Sequence, residues 1–96
     1  MVVGVLRLDL LVHGSQGLKD KRAVVKSILG RCRARFPVSC AETDHQNLWQ
    51  RAGLGFAILE NSEDSAHQVL QKVIEEVERI GLAEIIGQDI ELIHYG

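Results

Sequence analysis

The sequence predicts one α+β domain built in the order β-α-β-β-α-β. Three observations carry this. Apolar and polar residues alternate near the start of the chain, two later stretches change to a period near 3.6, and turn-forming clusters separate the segments. Pro37, the single proline, marks the only hard break.

Val2 to His13 reads as a strand, with Val2, Leu6, Leu8, Leu10 and Val12 on one face and Arg7, Asp9 and His13 on the other. His13 to Gly17 supplies turn chemistry. From Leu18 to Phe36 the residues Leu18, Val25, Ile28, Leu29, Cys32 and Phe36 form one helical stripe among lysines and arginines. Pro37 ends that helix, because the residue before a proline is pushed out of the α region. Val38 to Asp44 is a second strand, closed by the polar turn Asp44-His45-Gln46-Asn47. Arg51 to Glu60 is a third, with Leu54, Phe56 and Ile58 toward the core and Gly53 and Gly55 leaving the opposite face bare.

Asn61-Ser62 offers an N-cap to a second helix, with Glu63 and Asp64 where the helix dipole favours anions. Its stripe runs through Ala66, Val69, Leu70, Val73, Ile74, Val77 and Ile80 to a stop at Gly81. A last strand falls within Ala83 to Tyr95, with an interruption at Gly87. One apolar stripe per helix places both helices on one sheet face, and right-handed crossovers make the first and third strands central. The expected result is a ferredoxin-like βαββαβ sandwich: a four-stranded antiparallel sheet with two helices on one face, spanning residues 1–96 as a single domain.

Composition narrows the function classes. A hydrophobic share of 46%, a charged share of 25% and a net charge of -2 describe a globular chain and argue against disorder. The apolar run from Val2 to Val12 carries Arg7 and Asp9 and is too short to span a bilayer, so the expectation is a cytoplasmic protein without a membrane role. Cys32 and Cys40 have no CxxC spacing and read as small buried hydrophobes. The glycines form neither GxGxxG nor a P-loop, and no serine sits in a nucleophile elbow. No enzyme, cofactor or metal is therefore expected.

Charge is unevenly spread. Of the 11 basic residues, Lys19, Lys21, Arg22, Lys26, Arg31, Arg33 and Arg35 lie on the first helix with only Asp20 against them. The second helix is reversed, setting Glu63, Asp64, Glu75, Glu76 and Glu78 against Lys72 and Arg79. Lys19, Lys21 and Arg22 occupy a first turn where cations oppose the helix dipole, so helix stability alone does not select them. A phosphate at that end would reverse the sign. Two readings follow: a phosphate-binding face, or a solvated one paired with acids elsewhere.

The segments Gly14-Ser15-Gln16-Gly17-Leu18-Lys19-Asp20-Lys21-Arg22 and Ala41-Glu42-Thr43-Asp44-His45-Gln46-Asn47-Leu48-Trp49-Gln50-Arg51-Ala52 resemble the two signatures of the YlxP-like family of bacterial proteins. The likeness continues through Ala23 to Ser27 and covers essentially the whole chain. It departs at Gln16-Gly17 and is loose in the last strand. The resemblance implies a ferredoxin-like fold and a gene setting among transcription and translation factors, including ribosome maturation. It implies no activity, catalytic residue or cofactor, and tilts the expected partner toward ribosomal RNA or a ribosomal particle.

Three further features bear on partners. Asp44 and His45, with His13 or Arg51 nearby, hold elements of an acid–base or ligand site, or serve as turn caps. Trp49, the only tryptophan, either anchors a partner or folds back over the core edge. Val3, Val5, Leu11, Ile93 and Tyr95 lie on faces the helices leave open, which makes a homodimer the working expectation. The expected function is a non-catalytic RNA- or ribosome-associated module using the basic helix, with Asp44, His45, Trp49 and Arg51 as a candidate partner surface. The alternative is a homodimeric interaction domain with no nucleic-acid role.

Overall fold

A computed structural model describes residues 1–96. The elements are β1 (Val2–Leu11), α1 (Leu18–Arg35), β2 (Ser39–Asp44), β3 (Arg51–Glu60), α2 (Glu63–Ile80) and β4 (Glu84–His94). They form a four-stranded sheet in the order β2-β3-β1-β4, antiparallel throughout. This is the ferredoxin-like sandwich. The ends differ slightly from expectation. His13 lies outside β1, Phe36 follows α1 in extended conformation, and β2 begins at Ser39.

The core is a cluster of 17 buried residues between sheet and helices. Leu6, Leu8 and Leu10 of β1 and Leu54, Phe56 and Ile58 of β3 meet Val25, Ile28 and Cys32 of α1 and Leu70, Val73, Ile74 and Val77 of α2. Strand alternation delivers the first group and the 3.6-residue period the second, so both periodicities point at one layer. Ser62 caps α2 by accepting a hydrogen bond from the Ser65 N–H at 3.2 Å, and Gly81 ends it in the left-handed region at φ 71°.

Two buried charges were not expected. Lys21 is 0% exposed, and Glu76, one of the acidic residues counted on α2, is 2% exposed. Glu76 is clamped between Arg35 of α1 and Arg79 of its own helix, so the pair Arg35–Glu76 locks the two helices together. Neither buried charge is without partners.

Both edge strands shift register beside the same row of the sheet. On β2 the extra residue is Thr43, between Glu42↔Leu54 and Asp44↔Gly53. On β4 it is Ile86, between Asp9↔Gly87 and Leu10↔Ile85. Bulges of this kind re-aim side chains and make an edge a poor template for further strands. They also correct the picture of a bare β3. An added Cβ at Gly53 would lie 2.7 Å from the Asp44 Cβ, and one at Gly55 3.0 Å from the Thr43 methyl group. The glycines are occupied from above by side chains of the bulged edge strand.

Two predictions follow from these contacts. Gly53→Ala forces β2 away from β3 and should destabilise by about 1–3 kcal/mol in denaturant titrations, the usual range for overpacking. The second concerns Cys32. Burial, then the neighbouring Cys40 and Glu76, push its thiol from 9.0 to about 11. The unfolded chain therefore loses this proton first. Stability is intact below about pH 9 and falls as pH rises toward 11. In Cys32→Ala that part of the alkaline decline should vanish, so the stability gap between wild type and variant narrows with rising pH.

Candidate functional site

The end of the sheet where β1 stops and β3 starts gathers most of the candidate residues. The element holding it together is Lys21. Its Nζ donates to Glu42 Oε2 at 2.6 Å, to the His45 carbonyl at 3.0 Å and to the Gln46 carbonyl at 3.1 Å. An ammonium has three protons, and each has an acceptor. Glu42 lies on the core side of β2, opposite Leu54, which is why it can meet a side chain from the inner face of α1. Lys21 is thus a structural tether between the first turn of α1 and the β2–β3 loop, and it has no proton left for a phosphate. It is withdrawn from the basic binding face expected above.

The loop is stitched at its other end as well, by the Val12 N–H donating to the Gln50 carbonyl at 2.8 Å. Between the two stitches His45 takes a left-handed conformation at φ 59°, unusual for a side chain with a Cβ. Asp44 supports it by accepting the His45 N–H at 2.8 Å, and the His45 carbonyl accepts from the Leu48 N–H at 3.1 Å. Asp44 and His45 therefore do serve as turn caps. The imidazole Nε2 lies 3.9 Å from Asp9 Oδ1 and 3.8 Å from Asp44 Oδ2.

Asp9 is the centre of the open face at this end. Arg51 grips it with two hydrogen bonds, Nε to Oδ1 at 3.3 Å and Nη2 to Oδ2 at 2.6 Å. Gly53 and Gly87 flank Asp9 on the neighbouring strands, the first making room for Asp44 and the second for Asp9 itself. The result is a shallow cavity of about 430 Å³ whose rim includes Arg7, Asp9, Asp44, His45 and Asp89. Arg7 faces Asp89 at 3.6 Å. Its guanidinium and carboxylate groups are thus largely matched to one another, an arrangement that orders the surface and presents no activated nucleophile. Asp9 was the residue that sequence reasoning passed over. The signal was its place on the open face of β1 opposite Gly53.

Trp49 does not fold back over the core. It is 54% exposed, and Leu48 beside it is 48% exposed. Both stand on the tethered loop. The basic helix divides into paired and unpaired cations. Arg35 is held by Glu76, and Arg33 donates to the Cys40 carbonyl at 2.6 Å. Lys19, Arg22, Lys26 and Arg31 are exposed and make no ion pair or hydrogen bond within the chain. Lys19, Arg22 and Lys26 follow the i, i+3, i+7 spacing of one outer stripe. Asp20, the only acid on α1, is turned to the preceding loop, where it accepts the Gln16 N–H. The cysteine thiols are raised in pKa by burial, which suppresses thiolate chemistry.

This architecture agrees with what known proteins show. Residues 3–90 match the family described as protein of unknown function DUF503, and the chain belongs to that family. It is 34% identical over 73 residues to the uncharacterized protein YlxP of Bacillus subtilis (strain 168), covering 76% of this chain and 79% of that protein. Among solved structures it is similar to a de novo designed protein with a ferredoxin fold, LFR1 1, at TM-score 0.61 and 13% identity, over 100% of this chain and 88% of the other. The designed protein Foldit4 aligns at TM-score 0.50 and 12% identity, over 99% and 98% of the two chains. These likenesses establish the fold. No helix is long and apolar enough to cross a membrane.

The tether can be tested directly. Lys21→Met keeps the volume of the stem but leaves the Glu42 carboxylate and two carbonyls without their donor. Breaking a buried pair from one side costs about 3–5 kcal/mol, and urea unfolding should show a loss of that order. Lys19→Met, one turn position away and exposed, should change stability by no more than about 0.5 kcal/mol.

Proposed function

We propose that this domain is a non-catalytic binding module that engages RNA through the outer face of α1. The reading rests on one observation. Lys21, Arg33 and Arg35 are consumed by acceptors of the fold, while Lys19, Arg22, Lys26 and Arg31 have none. A chain of net charge -2 thus presents an unneutralised positive stripe along one helix. The sheet face beyond the helices lacks aromatic side chains over β1 and β3, so base stacking there is not its mode. Phosphate contacts set position and affinity more than sequence choice. A ribosomal setting is the one the YlxP-like resemblance implies.

The test is salt dependence. Each phosphate contact adds about 0.7–0.9 to the slope of log affinity against log salt. Combined Lys19→Ala, Arg22→Ala and Lys26→Ala should lower that slope by about two and weaken binding of an RNA oligonucleotide at every salt concentration. Lys72→Ala, which removes an unpaired cation of α2, should leave both unchanged. Equal slopes for the triple variant and wild type would refute the proposal.

A second reading has an observation of its own. At the opposite end of the open face Val3, Val5, Ala57, Leu59 and Ile93 adjoin one another across β3, β1 and β4, and Leu59 is 63% exposed. This is a contiguous apolar patch of the kind that marks a protein contact, and a second copy of the chain would cover it. Sedimentation of wild type against Leu59→Glu should then show a dimer that the variant loses; a wild-type monomer at high concentration removes this reading.

A further inference from the structure

We infer that the RNA engaged by α1 is single-stranded where it meets the protein, and that one of its bases stacks on Trp49. This deepens the preceding reading and rests on it for the phosphate contacts. The juxtaposition comes from the two stitches already described. Lys21 binds the carbonyls of His45 and Gln46, and Val12 binds that of Gln50. The segment entering α1 and the loop carrying Trp49 are therefore one surface. Lys21 points inward to make its bonds, so its helix neighbours Lys19 and Arg22 project outward at the same end. Two unpaired cations and an exposed indole thus stand at the same end of the molecule.

That combination has a chemical meaning. Sites for single strands join cations that track the backbone to aromatic faces on which bases lie. A duplex keeps its bases stacked on one another and offers an indole nothing but its backbone and groove edges. The indole is 54% exposed and its N–H makes no hydrogen bond to the rest of the fold, so an aromatic face and a donor are both open to a ligand. The Gln46 amide already donates to the Glu42 carbonyl at 3.4 Å, whereas Asn47 and Gln50 on the same loop carry amides that can pair with the edge of a stacked base. Arg51 is not among them, since Asp9 holds it.

Trp49 is the only tryptophan, so its fluorescence reports the contact without a label. The full chain is titrated with a short single-stranded RNA and with a duplex of the same length and sequence. The single strand should quench the emission on saturation and bind more tightly than the duplex. Trp49→Ala should weaken the single strand about tenfold, the value of one stacked base, and leave duplex binding and the salt slope unchanged. Trp49→Phe should restore most of the loss. Lys19→Ala with Arg22→Ala should lower the salt slope yet keep the full quench at saturation.

The two layers of the proposal fail separately. RNA that binds with a salt-dependent affinity but without quenching, or equally well to Trp49→Ala, overturns the stacking inference and leaves the phosphate reading in place. Absence of binding to either RNA form overturns both. A preference for the duplex also sinks the stacking inference. Circular dichroism melts should place the Trp49 variants within a few degrees of wild type, because the indole is 54% exposed and makes no hydrogen bond to the fold.

Discussion

The bond set of a single buried ammonium organises the end of the sheet where β1 stops and β3 starts. A buried ammonium without acceptors would be strongly destabilising. Here a carboxylate and two carbonyls take the place of water, and the Glu42 side chain is itself only 16% exposed. The arrangement is directional. It requires Glu42 on the core side of β2, carbonyls of the loop turned inward, and the first turn of α1 pressed against both. The register of β2, the course of the loop and the start of the helix are therefore one constraint with three consequences. Left-handed His45 is part of it, since its backbone must present a carbonyl to Lys21 while its N–H is taken up by Asp44.

A pattern of pairing runs through the rest of the molecule. Arg35 and Arg79 neutralise Glu76, Arg51 neutralises Asp9, and Arg7 faces Asp89. These matches hold helix to helix and strand to strand, while Glu91 on the open face of β4 has no such partner. The cations left over are concentrated where no element of the same chain packs. Exposed ion pairs add little stability, so their absence along α1 is not a structural deficit. It is a surface whose field is directed outward, and the division within one helix separates cations that the fold uses from cations that it leaves free.

Much of this could be read in the sequence. Alternation over Val2 to Val12 and the stripes of both helices located the core, and Ser62 and Gly81 bounded α2 to the residue, because caps are local chemistry. What escaped was the fate of individual charges. Lys21 was grouped with its neighbours by composition, yet Val25, Ile28 and Cys32 follow it at four, seven and eleven residues, the spacing of the buried stripe. Glu76 lies between Val73 and Ile80 on its own helix in the same way. A charge on an apolar stripe needs a partner, and the partner is supplied by tertiary contact that no local pattern records. The bulges at Thr43 and Ile86 were hidden for a similar reason, since register is a property of two strands and not of one. Gly53 and Gly55 hinted at close approach but could not say what approached.

The loop between β2 and β3 shows why such constraints matter for recognition. A flexible loop carrying an aromatic side chain would lose conformational freedom on binding, at about 1–2 kcal/mol for each backbone residue fixed. Here that ordering has already occurred during folding, through hydrogen bonds to Lys21 and Val12 that bracket the loop. The indole is held out in solvent on a backbone that does not need to reorganise. Pre-organisation of this kind raises affinity by removing a penalty and adds no contact. The same reasoning explains why a buried lysine is better suited to the tether than an apolar residue of its size. A methionine at this position would pack where the lysine stem does, but it could not dictate where the carbonyls of His45 and Gln46 point. The loop would keep its neighbours and lose its shape.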